Sequence, residues 1–214
     1  MPFRRSFLEI PARAAGANRK RLCLYDCEYL VSIFWKMENG TTMALQPVLR
    51  PSDIPLALRL ASHPGERYED LGAVFGNSTS SAHRAVARLE QSGLLLPGER
   101  RANREALKEF LVHGVRYAFP PVRGPEARGV PTAWSAPALQ GVPPNGPMVV
   151  WPSEHGKVRG ESLVPLCKSV PAAVQRDPQL YEMLALIEAL RIGQARDRRM
   201  AADLLRKRLS NGSP

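Results

Sequence analysis

The sequence predicts a mainly α protein with one small β-hairpin. It reads as a helical N-terminal unit, a proline-rich irregular region and a C-terminal pair of helices. Three observations predict this. Apolar residues recur at helical spacing in four short segments between Ile54 and Leu111. Nine of the 39 residues from 114 to 152 are proline, which excludes long helices and central strands there. Two further helical patterns fill the chain after Asp177. The chain has 214 residues, 44% of them hydrophobic, which is enough to bury a real core and too apolar for general disorder.

Residues 1–42 form a basic extension. An Arg-rich start (Arg4, Arg5, Arg13, Arg19, Lys20, Arg21) leads into an apolar stretch and the breaker-rich Glu38-Asn39-Gly40-Thr41-Thr42. No apolar core with a small-residue cleavage site follows the arginines, so a targeting peptide is not indicated. We expect either a non-native extension, with translation starting at Met43, or a poorly ordered basic arm. The apolar stretch Leu22–Trp35 is interrupted by Asp26 and Glu28. No uncharged apolar run approaches the roughly 18 residues of a membrane span, so no membrane association is expected.

Residues 43–113 read as one unit. Ser52 and Asp53 open its first helix, a hydroxyl to cap free amides and a carboxylate at the positive end of the dipole. Ile54, Leu56, Leu58, Leu60 and Ala61 give it an apolar face. Pro55 lies in the permissive first turn, and His63-Pro64-Gly65 ends the helix. A second helix spans about 66–75, with Tyr68, Leu71, Val74 and Phe75 inward and Gly76 as its left-handed stop. Ser78 caps a third helix over 79–92, where Ala82, Ala85, Val86 and Leu89 make one apolar stripe. After Gly93, Leu94-Leu95-Leu96 reads as a strand, Pro97-Gly98 as a turn and Arg100 to Ala102 as a short return strand. Asn103 caps a fourth helix closed by Gly114.

In the irregular region, 114–170, Val115–Phe119 and Met148–Trp151 read as short strands. Trp134 and Trp151 point to packing rather than a mobile linker. Residues 171–214 return to helix. Asp177-Pro178 starts one that runs to about Ile192, with Leu180, Met183, Leu184, Ile187 and Leu190 inward. A last helix over 194–209 sets Met200, Ala201, Leu204 and Leu205 against a cationic face. This pair is expected to dimerise through its larger apolar face, or to dock a protein partner.

The chain carries 30 Lys and Arg against 20 Asp and Glu, a formal charge of +10, which points to a polyanionic partner. Residues 49–113 nevertheless hold nine basic and eight acidic side chains, so the signal there lies in placement. The third helix presents Thr79, Ser80, Ser81, His83, Arg84, Ala87 and Arg88 on its outer face, none of them acidic. Arg100, Arg101 and Arg104 follow the Pro97-Gly98 turn. A helix that enters a DNA groove needs one such acid-free face and one apolar face to hold it.

The run from Glu69 to Leu95 resembles the winged helix-turn-helix of bacterial regulators of the MarR-like group. It does so through the small Ala73, the turn glycine Gly76, the cap Ser78, the buried Ala82, Val86 and Leu89, and the Gly93-Leu94-Leu95 exit. The resemblance covers about residues 50–113. It implies a cytoplasmic transcriptional regulator, of repressor type, that binds double-stranded DNA; the homodimer expected here rests on the C-terminal helix pair. On this reading Ser80, Ser81, His83 and Arg84 meet base edges. Thr79, Arg88, Arg100, Arg101 and Arg104 hold phosphates. The alternative is a protein-interaction module, an antitoxin-like partner of another gene product.

Other chemistry is not indicated. Cys23, Cys27 and Cys167 form no disulfide framework, and their spacing with the scattered His63, His83, His113 and His155 matches no zinc pattern. No nucleophile–base set and no glycine-rich phosphate loop is evident. We therefore expect no metal, no cofactor and no catalytic residue.

Overall fold

The structure, a computed structural model, describes residues 48–139 and 146–211. The expectations for residues 1–42, including Cys23 and Cys27, lie outside the described residues. Three helices come first: α1 (Asp53–Ser62), α2 (Tyr68–Val74) and α3 (Thr79–Gln91). A hairpin of β1 (Leu95–Leu96) and β2 (Arg101–Ala102) follows, then α4 (Arg104–Glu109) and α5 (Val115–Ala118). Three strands come next: β3 (Arg123–Pro131), β4 (Val149–Pro152) and β5 (Val158–Leu163). The short α6 (Val170–Ala173) precedes α7 (Pro178–Ile192) and α8 (Ala195–Asn211). The fold is mainly α with a small β component, as the sequence predicts. No helix among the described residues is long and apolar enough to cross a membrane.

Three of the expected caps form. Ser78 Oγ accepts from the Ser81 amide, Asn103 Oδ1 from the Ala106 amide and Asp177 Oδ1 from the Leu180 amide. Ser52 does not cap α1: its side chain makes no such bond. Instead the Asp53 carboxylate turns back and accepts from the Arg50 amide at 2.9 Å.

Two expectations for the proline-rich region are corrected. Val115–Phe119 is not a strand. The chain leaves α4 through a π-turn at Phe110–Gly114 and continues as α5. Leu107, Leu111, Val115 and Phe119 are all buried, one every fourth residue. An α-helix repeats every 3.6 residues, so a stripe of period four drifts off the core unless a wider turn intervenes. Nor does proline keep the region free of a central strand, because β3 pairs with both β4 and β5. Pro125 is accommodated where the β3–β5 register shifts between Gly124 and Glu126, a bulge that asks for no amide there. The expected strand at 148–151 appears as β4. It also pairs with β5, in parallel, so the three strands close on one another.

One hydrophobic cluster runs from Ile54 in α1 to Leu209 in α8. Its central element is α7, whose residues from Met183 to Arg191 are all buried. The expected dimer face of this helix is therefore covered by the chain itself. α1, α5, α8 and the turn at Ala133–Ser135 pack around it.

Two polar networks lie in this core. Glu188 receives hydrogen bonds from Arg191 and from Trp151 Nε1, and Arg191 also donates to the Phe119 and Pro120 carbonyls. Burial pushes the Glu188 carboxyl up to about 7, against the opposing pull of Arg191 and Trp151. Arg59 of α1 bridges Glu66 at 2.8 Å and Asp177 at 2.7 Å, tying the first helices to the cap of α7. Burial would raise the Asp177 pKa, but the Leu180 amide and Arg59 together hold it below the usual carboxylate value.

Candidate nucleic-acid interface

The third helix is held by four apolar side chains. Ala82, Ala85, Val86 and Leu89 are buried, and α3 packs against α1 and α2. Its opposite side is open, with Thr79, Ser80, His83, Arg84, Ala87 and Gln91 all exposed. No acidic side chain belongs to this stripe. Glu90 is half-buried, and its Oε1 accepts from the Gly98 amide at 3.1 Å, fastening the end of α3 to the hairpin turn.

The turn before α3 depends on Gly72 rather than on Ala73. Ala73 is exposed, whereas Gly72 is buried. A Cβ on Gly72 would stand 2.6 Å from the Asn77 carbonyl oxygen, a backbone atom that cannot swing aside. The Asn77 amide also donates to the Gly72 carbonyl at 2.8 Å, so α2 and the turn touch backbone to backbone. Gly76, at φ +62°, makes the reversal. In an ordinary helix, Gly→Ala stabilises by up to about 1 kcal/mol. At Gly72 the sign is expected to reverse, with Gly72→Ala costing about 1–3 kcal/mol in chemical denaturation because the turn must shift. Unchanged or raised stability would show that the turn yields freely.

The nine expected contact residues divide into two groups. Thr79, Ser80, His83, Arg84 and Arg101 are exposed. Arg84 Nη2 reaches Ser81 Oγ at 3.3 Å, and Arg101 has no partner among the described residues. Ser81 is half-buried, and its hydroxyl also receives a bond from Ser78 Oγ at 3.0 Å. It holds Arg84 rather than facing outward itself.

The other three arginines turn back into the fold. Arg88 grips Asp53 with two hydrogen bonds, from Nε at 2.8 Å and Nη2 at 2.6 Å. The Asp53 side chain is 0% exposed and that of Arg88 14%. The Asp53 hydrogen bond raises the Arg88 pKa above its ordinary value. Arg100 donates to the Glu66 carbonyl at 3.3 Å and lies 5.1 Å from the centre of the Tyr68 ring. Arg104 donates to the Ala61 carbonyl at 3.2 Å. All three join the hairpin side and α3 to α1 or α2.

Gln91 and Tyr68 were not among the expected residues. Gln91 extends the exposed stripe one turn beyond Ala87, a spacing legible in the sequence. Tyr68 contacts both His83 and Arg100, which no local pattern announces. Among the described residues, no group of histidine, cysteine and carboxylate side chains is placed to hold a metal. No protein-family model, no curated protein and no solved structure matches the chain.

Proposed function

We propose that the chain is a sequence-specific DNA-binding transcriptional regulator of the winged helix-turn-helix kind, reading the major groove with α3. The observation that carries this is the exposed, acid-free stripe of hydroxyl, imidazole and guanidinium groups on a helix whose other face is fully anchored. Ser80, His83 and Arg84 are the base-reading groups, with Arg84 presented by Ser81. Thr79 and Arg101 are the phosphate contacts. Arg88, Arg100 and Arg104 act through the fold, because their guanidinium groups already have partners.

The test is selection of bound sites from random double-stranded DNA by the wild-type protein and Arg84→Ala. The wild type is expected to enrich one sequence, and its binding to weaken steeply with salt. Arg84→Ala is expected to cost about 1–3 kcal/mol on that sequence and to relax preference at one position. A wild-type pool with no enriched sequence would refute the proposal and favour the protein-interaction reading.

A further inference from the structure

We infer that Tyr68 is a positioning residue for sequence reading. It fixes the imidazole of His83; this inference rests on the DNA-binding reading above. The Tyr68 and His83 rings lie 4.8 Å apart between centroids, inclined by 40°. The same tyrosine ring carries the Arg100 guanidinium at 5.1 Å. Three separate elements therefore meet on one side chain: α2 through Tyr68, α3 through His83 and the hairpin through Arg100.

The hairpin's side of the contact is held firmly. Arg100 has φ +46°, a conformation uncommon for a residue with a Cβ. It is kept there by the bond to the Glu66 carbonyl and by the Gly65 amide, which donates to the Arg100 carbonyl at 3.1 Å. His83 is exposed and has no hydrogen bond among the described residues, so Tyr68 is what restrains its ring. An imidazole free to change rotamer loses entropy when it meets a base edge. One already held against a neighbouring ring loses less.

The experiment pairs a structural readout with a sequence readout. In the free protein, NMR is expected to show ring-to-ring contacts between Tyr68 and His83 and an upfield shift of the His83 ring protons. Tyr68→Phe keeps both and Tyr68→Leu loses them. In site selection, His83→Ala first identifies the base pair that His83 reads. Tyr68→Leu is then expected to lose roughly tenfold of the discrimination at that same pair, within the range of one good side-chain–base contact. The pair read by Arg84 and the salt dependence stay as in wild type, and Tyr68→Phe selects the wild-type site. Tyr68→Met keeps volume without a ring and reads the same way if Tyr68→Leu does not fold. Equal weakening at every position, or an intact His83 pair in Tyr68→Leu, would overturn the inference while leaving DNA reading in place. A wild-type protein that enriches nothing would overturn both.

Discussion

Arg88→Ala is expected to destabilise the protein by about 3–5 kcal/mol, because it strands a fully buried carboxylate without its cation. Asp53 has no solvent to fall back on, and its remaining partner is the Arg50 amide. Arg84→Ala, one turn earlier on the same helix, removes an exposed side chain and should change stability by no more than about 0.5 kcal/mol. Urea unfolding of the two variants separates them: Arg88→Ala is expected to unfold at clearly lower urea, and Arg84→Ala close to wild type. The double variant Asp53→Leu with Arg88→Met is expected to recover much of the loss, since apolar replacement of a whole buried pair is often neutral or better. If Arg88→Ala were as stable as wild type yet bound DNA with a shallower salt dependence, Arg88 would be a phosphate contact after all.

The second large effect is a pH dependence carried by Glu188. Its carboxyl titrates at about 7 in the folded protein, against an ordinary value of 4.5 in the unfolded chain. The unfolded chain therefore gives up this proton first as the pH rises. The stabilising contribution is complete below about 4.5 and is lost progressively as the pH climbs towards 7. Over that window the loss is of order 3 kcal/mol, at about 1.4 kcal/mol per unit of difference. Unfolding midpoints measured from pH 4.5 to 7.5 should fall more steeply in wild type than in Glu188→Gln, which cannot ionise. Parallel profiles would show that Arg191 keeps Glu188 charged throughout.

Much of the helical framework was legible because its signals are local. Ser78 and Gly93 bound α3, Asp177-Pro178 opens α7, and the stripe of Ala82, Ala85, Val86 and Leu89 states which side of α3 is buried. What was not legible depends on distant partners. Arg88 and Arg84 look alike in sequence, four residues apart, and only the fold brings Asp53 to one of them, from 35 residues away. Arg100 and Arg104 find their carbonyls 34 and 43 residues back. The near balance of nine basic and eight acidic residues in this unit was the available hint that most of its arginines would be engaged. Val115 and Phe119 misled for a different reason. Their β-branched and aromatic side chains favour strands, and packing against α7 overrode that preference through a π-turn. The placement of α7 at the centre of the core also explains why its apolar face, so suggestive of a second copy, is covered by the chain itself.

The ring formed by β3, β4 and β5 has a consequence for how the protein behaves among its own copies. Each strand has the other two as neighbours over part of its length. An outermost strand is a template: its free amides and carbonyls recruit strands from other molecules and seed fibrils. Here the parallel contact between Val149–Val150 and Glu161–Ser162 closes the sheet at the place where an open meander would end. With these pairings the three strands leave fewer free backbone groups than an open meander would.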